Sequence, residues 1–275
     1  MSDAIPAYKL PYVPRPITAD IVEAARRAEA AYFTHADQSK AVFEHMGYAW
    51  LGMWQNDSSQ AVLSIKEGFV FLSISGTRAS ALKLEDIFLD VDLTPLQVQA
   101  SWWQVANGVI TNNGQVTAGA YADMKEIWQW AQEKINSVAL ADIKVIFNVD
   151  GHSLGGARAQ LTPLFLPKEQ IGRVYSFESP KFAETNYFQW ALPLMPNLVC
   201  TLNGADGWAA WPWNDTVMIR PPIPHLWLQA PNRYGYDWIE PHLWPGGMNF
   251  KDHDIDAIVA RLTRLATVSR LGTSA

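Results

Sequence analysis

The chain has little that would tie it to an oxidising compartment, a membrane or a nucleic acid. Its 275 residues include a single cysteine, so no intrachain disulfide can form and the fold must stand without one. That cysteine, Cys200, lies in an apolar run with Leu198, Val199 and Leu202 and reads as a small buried hydrophobe, not a nucleophile. Charged residues are sparse at 17%, the net charge is −6, and no block of like charge is present. A basic surface for nucleic acid and a polyanionic tail are both excluded on that ground. No apolar run approaches the roughly 18 residues that would suggest a membrane span. The opening MSDAIPAYKLPYVPRP is punctuated by proline and lacks the basic start and apolar stretch of a signal peptide. The expectation from these absences is a cytoplasmic protein.

What the chain does have is apolar mass. At 49% hydrophobic it can bury a large core, and its length suits one α/β domain covering residues 1–275. Of its 13 tryptophans, Trp102, Trp103, Trp128, Trp130, Trp208 and Trp213 are among those expected on the side of the active site, most as packing and some lining an apolar cleft.

The periodicity gives an extended arm over 1–17, then a helix capped by Thr18 and running to about Phe33. Strands around 48–54, 61–65 and 69–75 form an antiparallel start, with a hairpin turn at Lys66-Glu67-Gly68. Residues 79–113 show no clean period and mix acids with Leu84, Ile87, Phe88 and Leu89. One long amphipathic helix is expected over 119–136, with Met124, Ile127, Trp128, Ala131 and Ile135 inward. Strand 143–149, helix 153–166 and strand 173–177 follow, then strand candidates at 198–202 and 216–219 and a last helix from about Asp254. Strands alternating with helices after an antiparallel start predict an α/β fold, a mostly parallel central sheet with helices on both faces.

The most informative segment is VIFNVDGHSLGGARAQ at 145–160. Gly151-His152-Ser153-Leu154-Gly155 is a G-x-S-x-G pattern, with an apolar β-branched run before it and a small-residue helical stretch after it. A strand turning sharply into a helix presents the serine hydroxyl above a parallel sheet, and side chains at the two glycines would strike neighbouring backbone. A glycine-rich turn that merely contains a serine would not need that context. The pattern predicts a nucleophile elbow.

A serine needs a base, and the base needs an acid to hold its tautomer. On such sheets these partners follow the serine in the order acid, then histidine. That order removes His35 and His45. His152 adjoins the serine and cannot fold back onto it, leaving His225, His242 and His253. The acid should leave a strand end, where catalytic loops gather. Asp206, after LVCTLNGA, fits. Asp215 is the competitor, but it leads into a strand.

With these residues in view the chain resembles the class 3 lipase family. Ile74-Ser75-Gly76-Thr77 resembles the F-R-G-[ST] segment, and Val116 to Tyr121 resembles V-H-x-G-F-x. Gly151 to Ala157 matches G-H-S-L-G-G-A, and Phe177-Glu178-Ser179-Pro180 resembles F-G-[ST]-P. Asn203 to Asp206 with Pro212 resembles N-x-x-D followed by proline, and Asp252-His253-Asp254 opens a terminal helix. Coverage is about residues 60–265. Ser75 stands for arginine, Thr117 for histidine and Arg158 for an apolar residue. The disulfides of secreted fungal members are absent. These departures spare the candidate triad and bear on substrate range and compartment.

The resemblance implies an α/β-hydrolase fold and a lipase or esterase. It also implies oxyanion donors at Thr77 and Leu154 and a lid near 79–113, where an ordinary surface helix is the alternative. The histidine is chosen by context. His242 and His225 both sit in a Pro-His-Leu-Trp tetrapeptide, so that motif separates nothing. His242 is held in a Pro/Gly stretch, whereas His253 stands at a loop-to-helix junction. The expected triad is therefore Ser153, Asp206 and His253, with His242 as the alternative base. The substrate is expected to be an ester or lipid, a lipid interface is a possible contact, and no metal or other cofactor is called for. A hydrolase fold without catalysis, or an amidase or acyltransferase on the same triad, are the competing readings.

Overall fold

In the computed structural model the described residues are 14–77, 95–97, 114–138, 145–213 and 217–272. Residues 1–13 of the arm expected over 1–17, nearly all of the segment 79–113 and the rival acid Asp215 lie outside them.

Among the described residues eight strands, numbered in chain order with their ranges below, form one sheet in the order β1-β2-β3-β6-β7-β8-β9-β10. Strands β1 (Ala49–Gln55), β2 (Gln60–Lys66) and β3 (Phe69–Ile74) make the antiparallel start. The turn between β2 and β3 places Glu67 and Gly68 at φ +53° and +79°, which is why a glycine ends it. From β3 the pairing becomes parallel through β6 (Phe147–His152), β7 (Ile171–Phe177), β8 (Leu198–Asn203) and β9 (His225–Leu228). An antiparallel edge strand, β10 (Tyr236–Ile239), closes the far side. Two short strands, β4 (Pro95–Gln97) and β5 (Gln115–Thr117), pair with each other apart from the main sheet.

Every residue of β6 is buried, as expected of a central parallel strand covered on both faces. Helix α1 (Ala19–Ala30) packs its alanines Ala24, Ala25 and Ala28 against one face together with α7 (Ile255–Gly272). Small side chains there let the helix approach the sheet closely. Thr18 occupies the N-cap position of α1 with extended backbone but makes no capping hydrogen bond. Buried Arg27 on α1 pairs with Asp150 of β6 at 2.8 Å and donates to the Tyr48 hydroxyl at 2.6 Å. Removing one member of such a pair strands the other charge and costs about 3–5 kcal/mol.

The opposite face carries α3 (Ala118–Tyr121), α4 (Met124–Ser137), α5 (Leu154–Ala159) and α6 (Thr185–Ala191) over the larger core cluster. The single helix expected over 119–136 is thus two helices. Asp123 sits between them at φ +64°. Its carboxylate accepts from Asn56 Nδ2 at 3.0 Å, Ser59 Oγ at 2.7 Å and the buried Arg158 at 3.2 Å, so distant partners override the local helical period. The inward set of α4, Met124, Ile127, Trp128, Ala131 and Ile135, is as the spacing predicts. Trp128 stacks on Phe165 in this core and is not a cleft residue. The helix expected over 153–166 stops at Ala159 and continues as a short 3-10 turn at Thr162–Leu164. The strand candidate at 216–219 reduces, where described, to a bridge between Ile219 and Ala183. Helix α2 (Ala36–His45), α6, β9 and β10 had no separate expectation.

Candidate active site

The parallel strands end along one edge of the sheet, and the candidate residues lie there in a row. After β6 the chain turns at Ser153, whose φ of +59° and ψ of −128° put a non-glycine residue in strained backbone. The surrounding glycines are sterically required. A Cβ on Gly155 would overlap the carbonyls of Ile74 and Ser75, and one on Gly151 would overlap Gly155. Ser153 N–H donates to Phe177 O at 2.8 Å, fixing the elbow to β7.

His253 ends the 3-10 turn Phe250–His253 just ahead of α7. Its Nε2 lies 2.8 Å from Ser153 Oγ, and its Nδ1 lies 2.7 Å from Asp206 Oδ2. Asp206 is fully buried beyond the end of β8, and its other oxygen accepts the Trp208 N–H at 2.8 Å. Burial alone would raise the Asp206 carboxyl. The neighbouring Glu178, the facing imidazole and the Trp208 N–H outweigh it and bring the group down to about 2. The ionised carboxylate therefore accepts the hydrogen bond of Nδ1–H, leaving Nε2 to accept from the serine hydroxyl. Three residues separated by up to 100 positions form one hydrogen-bonded line.

The loop carrying Asp206 is tightly tied. Gly204, at φ +52°, leaves no room for a side chain against Asp252, and its carbonyl accepts the indole N–H of Trp227 at 3.0 Å and Trp244 at 2.9 Å. Asp252 is buried and not solvated. It accepts Gln229 Nε2 at 2.8 Å and Asn249 Nδ2 at 2.7 Å, while its backbone carbonyl accepts Asn203 Nδ2 at 2.6 Å.

His152 is a linking residue, not a base. The Gly76 N–H donates to the Tyr32 hydroxyl at 2.8 Å, and that hydroxyl donates to His152 Nδ1 at 2.7 Å. His152 Nε2–H then donates to the backbone carbonyl of His253 at 2.8 Å. Burial, with the nearby His253 imidazole adding to it, holds His152 well below the usual histidine range, so it stays neutral. The sequence offered one signal for this role, its place beside the serine. Tyr32 gave none.

Leu154 is the first residue of α5, so its N–H has no acceptor within the helix. Thr77 follows Gly76 at the exit of β3. A Cβ on Gly76 would come 2.7 Å from Ser153 Cβ and 2.9 Å from the His152 carbonyl, which measures how closely this segment passes the serine. The alternative base His242 is exposed in the short turn Pro241–Leu243. His225 is buried in β9 with Nδ1 2.7 Å from the Ile223 carbonyl, and burial pushes it down to about 4. Trp208 lies 6.4 Å from the His253 ring and 5.1 Å from Phe250, and Phe250 meets the half-exposed Trp213 at 6.2 Å. These aromatics wall one side of the imidazole.

Among the described residues, Glu178, Asp206 and His253 are the acidic and imidazole groups close enough to share a metal ion, with ligand atoms within 4.8 Å of one another. A metal there would have to displace the proton that joins His253 to Asp206. The sequence profile of the family described as Lipase (class 3) matches residues 71–212. The chain belongs to the class 3 lipase family. Ester hydrolysis by a serine hydrolase of the lipase type comes with that membership.

Solved structures with the same fold include the Lip2 lipase from Yarrowia lipolytica, at TM-score 0.63 and 16% identity over 91% of this chain and 95% of that one. Lipase II from Rhizopus niveus superposes at TM-score 0.60 and 13% identity over 86% and 94%. A triacylglycerol lipase whose catalytic centre is described as a serine protease triad gives TM-score 0.65 and 13% identity over 88% and 96%. At such identities the likeness is one of fold. Comparison with curated proteins by sequence brought no match. Among the described residues no helix of this class 3 lipase is long and apolar enough to cross a membrane.

Proposed function

We propose that this class 3 lipase hydrolyses carboxylic esters of lipids through an acyl-enzyme formed on Ser153. The carrying observation is the hydrogen-bonded line from Ser153 Oγ through His253 to Asp206. Ser153 Oγ attacks the ester carbonyl as its proton passes to His253 Nε2. Asp206 holds the imidazole in the required tautomer and stabilises the imidazolium. The tetrahedral oxygen is received by the Leu154 N–H and by Thr77, through its N–H and hydroxyl. One such preorganised donor lowers a barrier by about 3 kcal/mol. The C–O bond to the alcohol breaks as His253 returns the proton to it, leaving the acyl group on Ser153. Water, deprotonated by the same imidazole, then releases the acid and restores the serine.

The same reading makes lipid esters the substrate class and leaves acyl length to measurement. The test is hydrolysis of p-nitrophenyl esters from acetyl to palmitoyl by wild type and Ser153→Ala, with a fluorophosphonate label on the wild-type serine. The wild type should turn over and take the label. Ser153→Ala should lose activity by about a million-fold, as in other serine hydrolases. Retention of more than a few per cent in pure Ser153→Ala would remove Ser153 as the nucleophile.

A further inference from the structure

Glu178 follows the last residue of β7 and is wholly buried. It adopts φ +50°, at the place where the F-G-[ST]-P pattern has glycine, the residue suited to that backbone. A strained glutamate inside the protein needs a reason. Neither of its oxygens has a hydrogen-bond donor among the described residues. Yet one of them lies within 4.8 Å of ligand atoms on both Asp206 and His253.

Two carboxylates at this range repel, and neither can donate a hydrogen bond to the other. A carboxylic acid beside a carboxylate has no such conflict. The surrounding donors decide which group keeps the proton. Asp206 receives the Trp208 N–H at 2.8 Å and His253 Nδ1 at 2.7 Å, whereas Glu178 receives nothing. The negative charge is therefore placed on Asp206 and the proton on Glu178.

We propose that Glu178 works as a neutral carboxylic acid donating its O–H to Asp206, and is thereby a positioning residue for the Asp206–His253 pair. This rests on the triad reading given above. The charged groups that face it are Asp206, Asp252 and Arg220. Burial pushes Glu178 well above the usual carboxylate range, the bond to Asp206 and the charges of Asp206 and Asp252 add to this, and Arg220 opposes it without prevailing. Arg220 is engaged elsewhere, donating to the Ala209 carbonyl at 2.6 Å with its guanidinium 4.5 Å over the Trp244 ring. As a further donor on Asp206, Glu178 keeps that carboxylate ionised and in register with Nδ1. Ionisation of Glu178 at alkaline pH would set two negative charges side by side and disturb the register.

The experiment compares Glu178→Gln, which keeps a donor and cannot ionise, with Glu178→Leu, which has none. kcat and KM on p-nitrophenyl butyrate are followed from neutral to alkaline pH, with Tm alongside. Glu178→Leu should lower kcat by about tenfold with KM nearly unchanged, the scale seen when a partner orienting a functional group is lost. Glu178→Gln should recover most of that loss and lack the alkaline fall in kcat that wild type shows. Independently of turnover, infrared difference spectra in the Ser153→Ala background at pH 8 should show a protonated-carboxyl C=O band that disappears on adding Glu178→Gln. Absence of that band, or equal kcat losses in Gln and Leu, or no loss in either, would overturn the proposal. If Glu178→Leu does not fold, the band and the Gln pH profile decide alone. Should Ser153→Ala prove active while the band is present, the proton on Glu178 stands and the triad reading falls.

Discussion

Asp252 Oδ2 accepts the backbone N–H of Ala205 at 3.0 Å, so the residue before the imidazole grips the residue before its acid. The two loops that must meet are joined one position away from the atoms that do the chemistry. Asp252→Asn would turn an amide donor toward the donors of Ala205, Asn249 or Gln229. A buried donor facing a donor costs about 1–3 kcal/mol. Asp252→Asn is expected to lower both Tm and kcat while the fluorophosphonate still labels Ser153 slowly. Wild-type kcat in that variant would show that the grip is dispensable.

The backbone strain at the elbow allows a test of its own. Ser153 at φ +59° is disfavoured for any residue with a Cβ, by about 1 kcal/mol relative to glycine after the unfolded-state entropy is counted. Ser153→Gly and Ser153→Ala should both be inactive, but Ser153→Gly should melt higher. Equal or reversed Tm values would mean that the turn is relaxed in solution.

Tyr32→Phe removes one hydroxyl and orphans two groups, the Gly76 N–H and His152 Nδ1. The loss should be about 1–3 kcal/mol of stability. Because Gly76 precedes Thr77, kcat should fall more than KM rises. A variant with unchanged Tm and kcat would show that water replaces the hydroxyl without cost.

A pH effect on stability is expected at Glu29, which burial and the neighbouring Asp256 and Asp254 raise to about 7. The sign follows from proton uptake. Between the ordinary value of 4.5 and about 7 the folded state holds a proton that the unfolded state has released, so stability is lost as pH rises through that window. Glu29→Gln should match wild type near pH 4 and exceed it above pH 7. After allowance for solvent screening the gain is about 1 kcal/mol, roughly 2–3 °C in Tm. A constant difference across pH would assign the effect to packing.

Much of this was legible in the chain because it is written locally. Gly151 is demanded by a contact with Gly155 four residues on, and the small residues after Ser153 allow the helix to start there, although Gly155 also answers to the distant carbonyls of Ile74 and Ser75. Asp206 could be chosen because it leaves a strand, and His253 because it meets a helix. What could not be read is what distant partners impose. The break at Asp123 depends on Asn56, Ser59 and Arg158, none of them neighbours in sequence. The Arg158 that looked out of place on an apolar position is the other half of that break. His225-Leu226-Trp227 looked like a copy of a loop tripeptide, yet it is a buried strand, since pairing with β8 and β10 is invisible in four residues. The burial of Asp252 was hidden because acids flanking a helix start usually face water.

The parallel block β3-β6-β7-β8-β9 has a consequence for how this constellation can change. Thr77, Ser153, Glu178, Asp206 and Gln229 each leave the end of a different strand, in the same order along the sheet as along the chain. Each therefore hangs from its own rigid rod, and the members are coupled to one another through the hydrogen bonds between their loops, such as those of Asp252 to Ala205 and Gln229. The opposite edge, where the β2–β3 turn at Glu67-Gly68 lies, carries none of them. Chain ends relocated to that turn by circular permutation would leave every pendant on its rod.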